Sequence, residues 1–286
     1  MRPHALQNHV ARISQREHGL AAYTRVFKSL VVALAITAPM MSADVRASDE
    51  LPAWMTERRI IGSNKLEKIQ SVAGTPVWNF TRPIARVEND AGEGFCTGWR
   101  VADDLFMTNY HCWEFEGCNV QFRQFYQDDT EEGTQRVFKC EESIHQNLAL
   151  DYALYRVKLA PSEDGSTPTD DRQVITLSTR GLRDGQRVVV AGHPRARTME
   201  IDRSEDCKIL SAEVQEIEQR QTISHLCDTE GGSSGSPVMD RTSGHALALH
   251  WGGQMENNFA IPMNLIVTDL RANIDAADFA RLRVAP

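Results

Sequence analysis

Between residues 80 and 262 the chain runs as short apolar or alternating segments separated by polar turns, the pattern of an all-β domain. The strands it predicts are Ile84–Val87, Phe95–Val101, Leu105–Thr108, Val120–Phe125, Ala153–Lys158, Arg187–Ala191, Ile209–Val214, Thr222–Leu226 and Ala246–Trp251. Helical periodicity is nearly absent there. The polar stretch 160–172 (APSEDGSTPTDDR) divides these strands into two groups of similar size, about 80–160 and 173–262, as a linker between two β-barrels would. After Pro262 the spacing changes. Leu265, Ile266, Leu270, Ile274, Phe279 and Leu282 recur at roughly helical period, which predicts a C-terminal helix over about 264–283 packed on the second barrel.

The first 47 residues have a different character. Arg2, Arg12, Arg16, Arg25 and Lys28 precede an uncharged run from Ser29 to Ala43, and Val45-Arg46-Ala47 supplies small residues at the usual cleavage positions. This predicts a secretory signal peptide over 1–47. The apolar run is shorter than the ~20 residues a bilayer crossing needs, so no stable membrane insertion is expected. Removing 1–47, with six Lys/Arg and two Asp/Glu, leaves 25 basic against 37 acidic residues, which disfavours nucleic acid as a partner. All six cysteines follow the expected cleavage site, and in an exported chain they suit up to three disulfides. No CxxC pair is present, and no metal or cofactor is expected.

Three local patterns carry candidate chemistry. In Thr229-Glu-Gly-Gly-Ser-Ser-Gly-Ser-Pro237 a glycine-serine turn can project a hydroxyl while nearby backbone N–H groups converge on a developing oxyanion; Gly232, Ser234 and Gly235 meet that need. In Phe106-Met-Thr-Asn-Tyr-His111-Cys112 a strand runs into a histidine placed to act as general base. In Leu150-Asp151-Tyr-Ala-Leu-Tyr155 one carboxylate opens an apolar strand, where its burial is costly unless it meets a donor such as an imidazole N–H. His193 and His225 have no such neighbours and read as structural. Gly231-Gly-Ser233-Ser-Gly235 also fits the G-x-S-x-G elbow of α/β-hydrolases, but that fold needs Asp and then His after the nucleophile within alternating strands and helices, and too little chain of that pattern remains.

Together these pieces resemble the trypsin-like peptidases, and within them the bacterial branch that includes the glutamyl endopeptidases. The matching segments are Cys96-Thr-Gly98, Thr108-Asn-Tyr-His-Cys112, Asp151-Tyr-Ala-Leu154, Gly232-Ser-Ser-Gly-Ser-Pro237 and His250-Trp-Gly-Gly253, in the order His, Asp, Ser. The resemblance implies two six-stranded antiparallel β-barrels, with the peptidase domain over 80–286 and an N-terminal extension or propeptide over 48–79. It implies a secreted or periplasmic serine endopeptidase acting on polypeptides, with His111, Asp151 and Ser234 as catalytic residues and the N–H groups of Gly232 and Ser234 as the oxyanion hole. It also implies a Cys96–Cys112 disulfide beside the histidine; Cys118–Cys140 and Cys207–Cys227 are the pairs expected to remain. The alternative is a non-catalytic binding protein on the same fold.

Specificity residues point two ways. Aligned without gaps to trypsin, Asp228 falls at the base of the substrate pocket, where a carboxylate favours Arg or Lys. Thr229 and His250 fall where glutamyl endopeptidases hold an acidic side chain, while Glu230 adds opposing charge. Trp251 and Gly252 offer a strand edge to an extended peptide. Where trypsin carries the aspartate that receives a new N-terminus, this chain has Ser233, although Arg59-Ile60-Ile61-Gly62 looks like a trypsin activation site.

Overall fold

The computed structural model describes residues 58–127, 135–161 and 172–286. The expected signal peptide, the first part of the 48–79 extension and most of the 160–172 linker lie outside the described residues. In chain order the strands are β1 (Arg58–Arg59), β2 (Glu67–Lys68), β3 (Ile84–Asn89), β4 (Gly94–Ala102), β5 (Leu105–Thr108), β6 (Val120–Gln124), β7 (Arg136–Asn147), β8 (Tyr152–Leu159), β9 (Leu177–Ser178) and β10 (Val188–Gly192). They continue with β11 (Glu200–Asp202), β12 (Ile209–Ile217), β13 (Arg220–His225), β14 (Thr229–Glu230), β15 (Pro237–Asp240), β16 (Ala246–Gly253), β17 (Asn258–Pro262) and β18 (Val284–Ala285). The α-helices are α1 (Pro76–Thr81), α2 (Tyr110–Glu116), α3 (Met263–Asn273) and α4 (Ala276–Phe279).

The first strand group closes into a barrel in the order β3-β4-β5-β8-β7-β6. Phe106 fills its interior, with the Phe122 and Phe138 ring centroids 4.9 and 5.0 Å away. The β7 strand was not foreseen from sequence because its charged run Glu141-Glu142 and two register shifts, at Cys140/Glu142 and Ser143/His145, break the alternation.

The second group is not the expected six-stranded barrel. It forms an open 10-stranded sheet along the path β12-β13-β17-β16-β15-β10-β11-β2, with β9 added beside β16 and β18 beside β9. The reason lies in β10. Over Val190–Gly192 its free edge is taken by β11, leaving only an isolated Arg187–Lys208 bridge to reach towards β12. Residues before 80 also belong to this half, since β1 pairs with β14 and β2 with β11.

The largest apolar core lies between barrel and sheet. Trp99, Leu105, Met107 and Leu154 on the outer face of the barrel pack with Val189, Met239, Leu249 and Ile261 of the sheet. Strand β5 and the first half of β8, Tyr152 to Tyr155, are therefore buried on both faces, which is why they read as near-continuous apolar runs, whereas β8 alternates beyond Tyr155. The C-terminal helix is also shorter than its periodicity predicted. Helix α3 buries Met263, Ile266, Val267 and Leu270 at helical spacing, ends at Asn273, and the chain restarts as α4 with the Asp275 carboxylate capping Ala277 N at 2.7 Å.

Asp269 of α3 clasps the helix to the barrel, accepting from Tyr152 Oη at 2.5 Å with His145 Nε2 at 3.0 Å. Burial raises this carboxyl, but the bonds from Tyr152 and His145 outweigh it and hold the group below the usual carboxylate range. Such a group stabilises the fold above its ordinary range and loses that contribution as pH falls through the lowered value. Asp269→Asn is expected to cost about 1–2 kcal/mol at pH 7 and to flatten the loss of stability on acidification, read from urea unfolding at pH 7 and pH 4.

Candidate active site

The Asp151 carboxylate is fully buried at the head of β8, on a residue with φ of 38°. Its Oδ1 accepts from the His111 backbone N–H at 3.0 Å, and its Oδ2 lies 2.9 Å from His111 Nδ1. Asn109 Nδ2 donates to the Asp151 carbonyl at 2.8 Å, so both chain segments are locked together. Burial raises the Asp151 carboxyl, but His111 and Arg220 more than offset it and keep the group below its usual range. Arg220, which the sequence did not single out, reaches Asp151 Oδ2 from the second sheet at 2.9 Å. His111 itself stands in the first turn of α2 rather than at a strand end, and the Cys96–Cys112 disulfide ties that turn to β4. The other disulfides join Cys118 to Cys140 and Cys207 to Cys227.

Ser234 sits on a turn whose backbone is held from the barrel by Thr97. Thr97 N donates to Ser234 O at 2.8 Å, and Thr97 Oγ1 donates to Gly232 O and accepts from His193 N, both at 2.9 Å. Gly232 and Gly235 have φ of 89° and 88°; a Cβ at Gly235 would lie 2.0 Å from the Thr97 carbonyl oxygen, and one at Gly232 would lie 2.7 Å from the His193 oxygen. A second brace comes from the turn 193–197, where Arg195 N donates to Gly231 O at 2.5 Å. In a trans peptide this directs the Gly232 N–H away from that turn. Arg195 and Ala196 both adopt positive φ, a strain of about 1–3 kcal/mol each that the turn's bonds sustain. One of those bonds comes from Arg86 in the barrel, whose Nη1 donates to Ala196 O at 3.0 Å.

His111 and Ser234 line one cleft of about 320 Å³, together with Arg59, Thr229, His250 and Trp251. Ser234 Oγ donates to Trp251 O at 3.3 Å. Beyond Leu249, β16 no longer pairs with β15, so Trp251 to Gly253 present a strand edge there, and the space beside Gly252 is open. The Trp251 ring stacks on Phe259, centroids 5.6 Å apart, and its Nε1 donates to Thr222 Oγ1 at 3.0 Å.

Asp228, expected at the base of the pocket, does not line this cleft. Its carboxylate turns to the N-terminal segment, accepting from Ile61 N and Lys65 N, each at 2.8 Å. Two backbone donors satisfy both oxygens, which fixes the side chain away from the cleft. Glu230, expected to oppose acidic substrates, is countered by Arg197 Nη2 at 2.5 Å and Arg195 Nε at 3.4 Å.

Thr229 and His250 do meet in the cleft. Thr229 Oγ1 is buried without a hydrogen-bond partner among the described residues. His250 Nδ1 lies 3.2 Å from Nε2 of the buried His225, whose Nδ1 accepts from Cys227 N at 3.3 Å. That accepted bond places the His225 proton on Nε2, donated to His250. Burial pushes His225 down to about 3 and holds His250 well below the usual histidine value, so both rings are neutral. His225 had read as structural because an isolated histidine near a cysteine gives no sign of a second imidazole 25 residues away. His193 is buried under the turn 193–197, its Nδ1 3.0 Å from Arg197 O, and burial lowers it to about 3.

Among curated proteins, a secreted RxLR effector protein 73 of Plasmopara viticola is 28% identical over 234 residues, spanning 76% of this chain. The chain spans only 56% of that relative's length. Among solved structures, the inactive form of Rv3671c of M. tuberculosis, a serine-to-alanine variant, matches 75% of this chain and 97% of its own at 18% identity and a TM-score of 0.49. The trypsin-like peptidase domain family matches residues 96–249, a stretch that runs from the half-cystine beside His111 through Asp151 and Ser234 to the start of the cleft strand. That match covers more than half of the sequence, and the chain belongs to the family of trypsin-like peptidase domains.

Proposed function

We propose that this chain is an exported serine endopeptidase in which Ser234 is the nucleophile, His111 the general base and Asp151 the orienting carboxylate. The observation that carries the reading is the buried, ionised Asp151 bonded to both the backbone N–H and Nδ1 of His111, in a cleft that His111 shares with Ser234. Asp151 then holds the proton on Nδ1 and leaves Nε2 as the basic atom. Ser234 Oγ attacks the peptide carbonyl as its proton passes to His111, which returns it to the leaving amine; water then hydrolyses the acyl-enzyme by the same route. The N–H groups of Gly232 and Ser234 stabilise the oxyanion, at about 3–4 kcal/mol per donor. Three disulfides accord with export, and a signal peptide over 1–47 would direct it.

Ser234→Ala is expected to abolish labelling by an organophosphorus serine-protease reagent and to reduce peptide hydrolysis by several orders of magnitude with the melting temperature retained, while Ser233→Ala keeps both. A wild-type protein that folds but neither labels nor cleaves would be a binding protein on a peptidase fold.

The residue accepted before the scissile bond is acidic in this reading. With Asp228 turned away, the polar groups lining the cleft beside the Thr229 hydroxyl are the neutral His250 ring, the cationic Arg59 brought in by β1, and Glu230, whose charge Arg197 and Arg195 counter. A carboxylate side chain there gains a charge-assisted contact that an amide cannot match. Matched peptides carrying Glu, Gln or Arg at that position test this. Wild type should prefer Glu, Arg59→Gln and His250→Ala should each cut the Glu-over-Gln ratio about tenfold or more, and Asp228→Asn should leave the ratio in place. Preference for Arg, or an unchanged ratio in Arg59→Gln and His250→Ala, rules the assignment out.

A further inference from the structure

Asp151 has a cationic neighbour, Arg220, that the peptidase reading does not require. Its Oδ2 is shared between His111 Nδ1 and Arg220 Nε, both at 2.9 Å, while Oδ1 is taken by the His111 backbone N–H. Arg220 is the first residue of β13, directly after a tight turn in which Glu218 and Gln219 have positive φ, so the β12–β13 hairpin delivers it across to the barrel. The next residue fastens the hairpin to the Asp151 loop, with Gln221 N donating to Ala149 O at 3.3 Å. The guanidinium carbon lies 4.7 Å over the Trp251 ring, and Nη1 donates to Glu218 O at 3.2 Å. Arg220 is thus held in one place by the second sheet, with its charge on the atom that faces the imidazole.

We propose that Arg220 is a positioning residue for the proposed peptidase reaction: it anchors Asp151 to the second sheet and shares the carboxylate oxygen that faces the His111 ring, so that it holds the His111–Asp151 pair in place and weakens the carboxylate's hold on a protonated ring. The inference rests on the assignment of these two residues to catalysis. A guanidinium stays protonated throughout the working range, so a proton added to the His111 ring creates a second positive charge beside it. The carboxylate that would stabilise this imidazolium is already partly neutralised. Loss of Arg220 therefore strengthens the hold of Asp151 on a protonated His111 ring.

The other charged and titratable groups facing this cluster are few. Glu218, largely exposed, lies 3.7 Å from Arg220 Nη1 on the hairpin side. Glu230 is held by Arg197 and Arg195, and Arg59 lines the same cleft. His250, neutral through burial, contributes no change of charge between pH 5 and 8.

The test is the dependence of kcat/KM on pH for one peptide substrate without charged side chains, in wild type, Arg220→Lys, Arg220→Gln and Arg220→Leu. The acid limb is expected to move to higher pH by about one unit or more in the Gln and Leu variants, a roughly tenfold loss at the foot of the limb, with Lys close to wild type. A limb that stays put while kcat falls evenly at all pH values would reduce Arg220 to a brace. A change confined to KM would make it a substrate contact, and either result overturns the proposal. The pH at which the His111 ring proton resonances shift, followed by NMR in the Ser234→Ala protein with and without Arg220→Gln, reads the same coupling without turnover. Movement there in a protein whose wild type shows no hydrolysis would separate failure of the peptidase reading from failure of this one.

Discussion

Everything in the cleft depends on keeping a charge where water cannot reach it. A lone carboxylate with the burial of Asp151 would neutralise itself or unfold its surroundings. Here it is held ionised by three donors from two directions: the backbone and ring of His111 from α2, and the guanidinium of Arg220 from β13. These bonds fix the histidine tautomer, and they join barrel to sheet at the edge of the cleft. Removing any of them leaves a buried charge short of partners, a larger penalty than the net worth of the bond itself.

The Ser234 turn is subject to the same logic carried by neutral groups. Thr97 bonds to Ser234, Gly232 and His193 at once, and its own carbonyl accepts from Thr108 Oγ1 at 2.7 Å. A strand of the barrel therefore sets the backbone of a loop belonging to the sheet. Such a bridge keeps its geometry only if the two halves cannot slide, and the apolar layer of Trp99, Met107 and Leu154 against Val189, Leu249 and Ile261 supplies that rigidity. The left-handed residues Arg195 and Ala196 are sustained by the same surroundings and brace the Gly231 carbonyl.

The N-terminal segment changes what the cleft can recognise. Asp228 is consumed in holding Ile61 and Lys65, and Asn258 Nδ2 donates to Arg59 O at 3.1 Å. These bonds fasten residues 59–65 to the second half of the fold. The strand so fixed brings Arg59 to a cleft in which Asp228 had been expected to set the charge. Asp228 thus lies outside the cleft, while Arg59 lines it together with Glu230.

The sequence by itself determined the parts whose signal is local. His111 beside Cys112, Asp151 opening an apolar strand, and the Gly232–Ser234–Gly235 turn each announce themselves within a few residues, because backbone conformation and immediate neighbours demand those residue types. The strands of the barrel were legible from their apolar runs, except β7, whose bulges erase the alternation that would reveal it. Tertiary structure alone decided what depends on distant partners. Arg220 meets Asp151 across 69 residues, Asp228 meets Ile61 across 167, and the second sheet stays open because β11 occupies the edge of β10 that closure would need. In each case the residue type is compatible with several roles, and the choice is made by which buried donor, acceptor or strand edge the folded chain places opposite it, a competition that no short stretch of sequence contains.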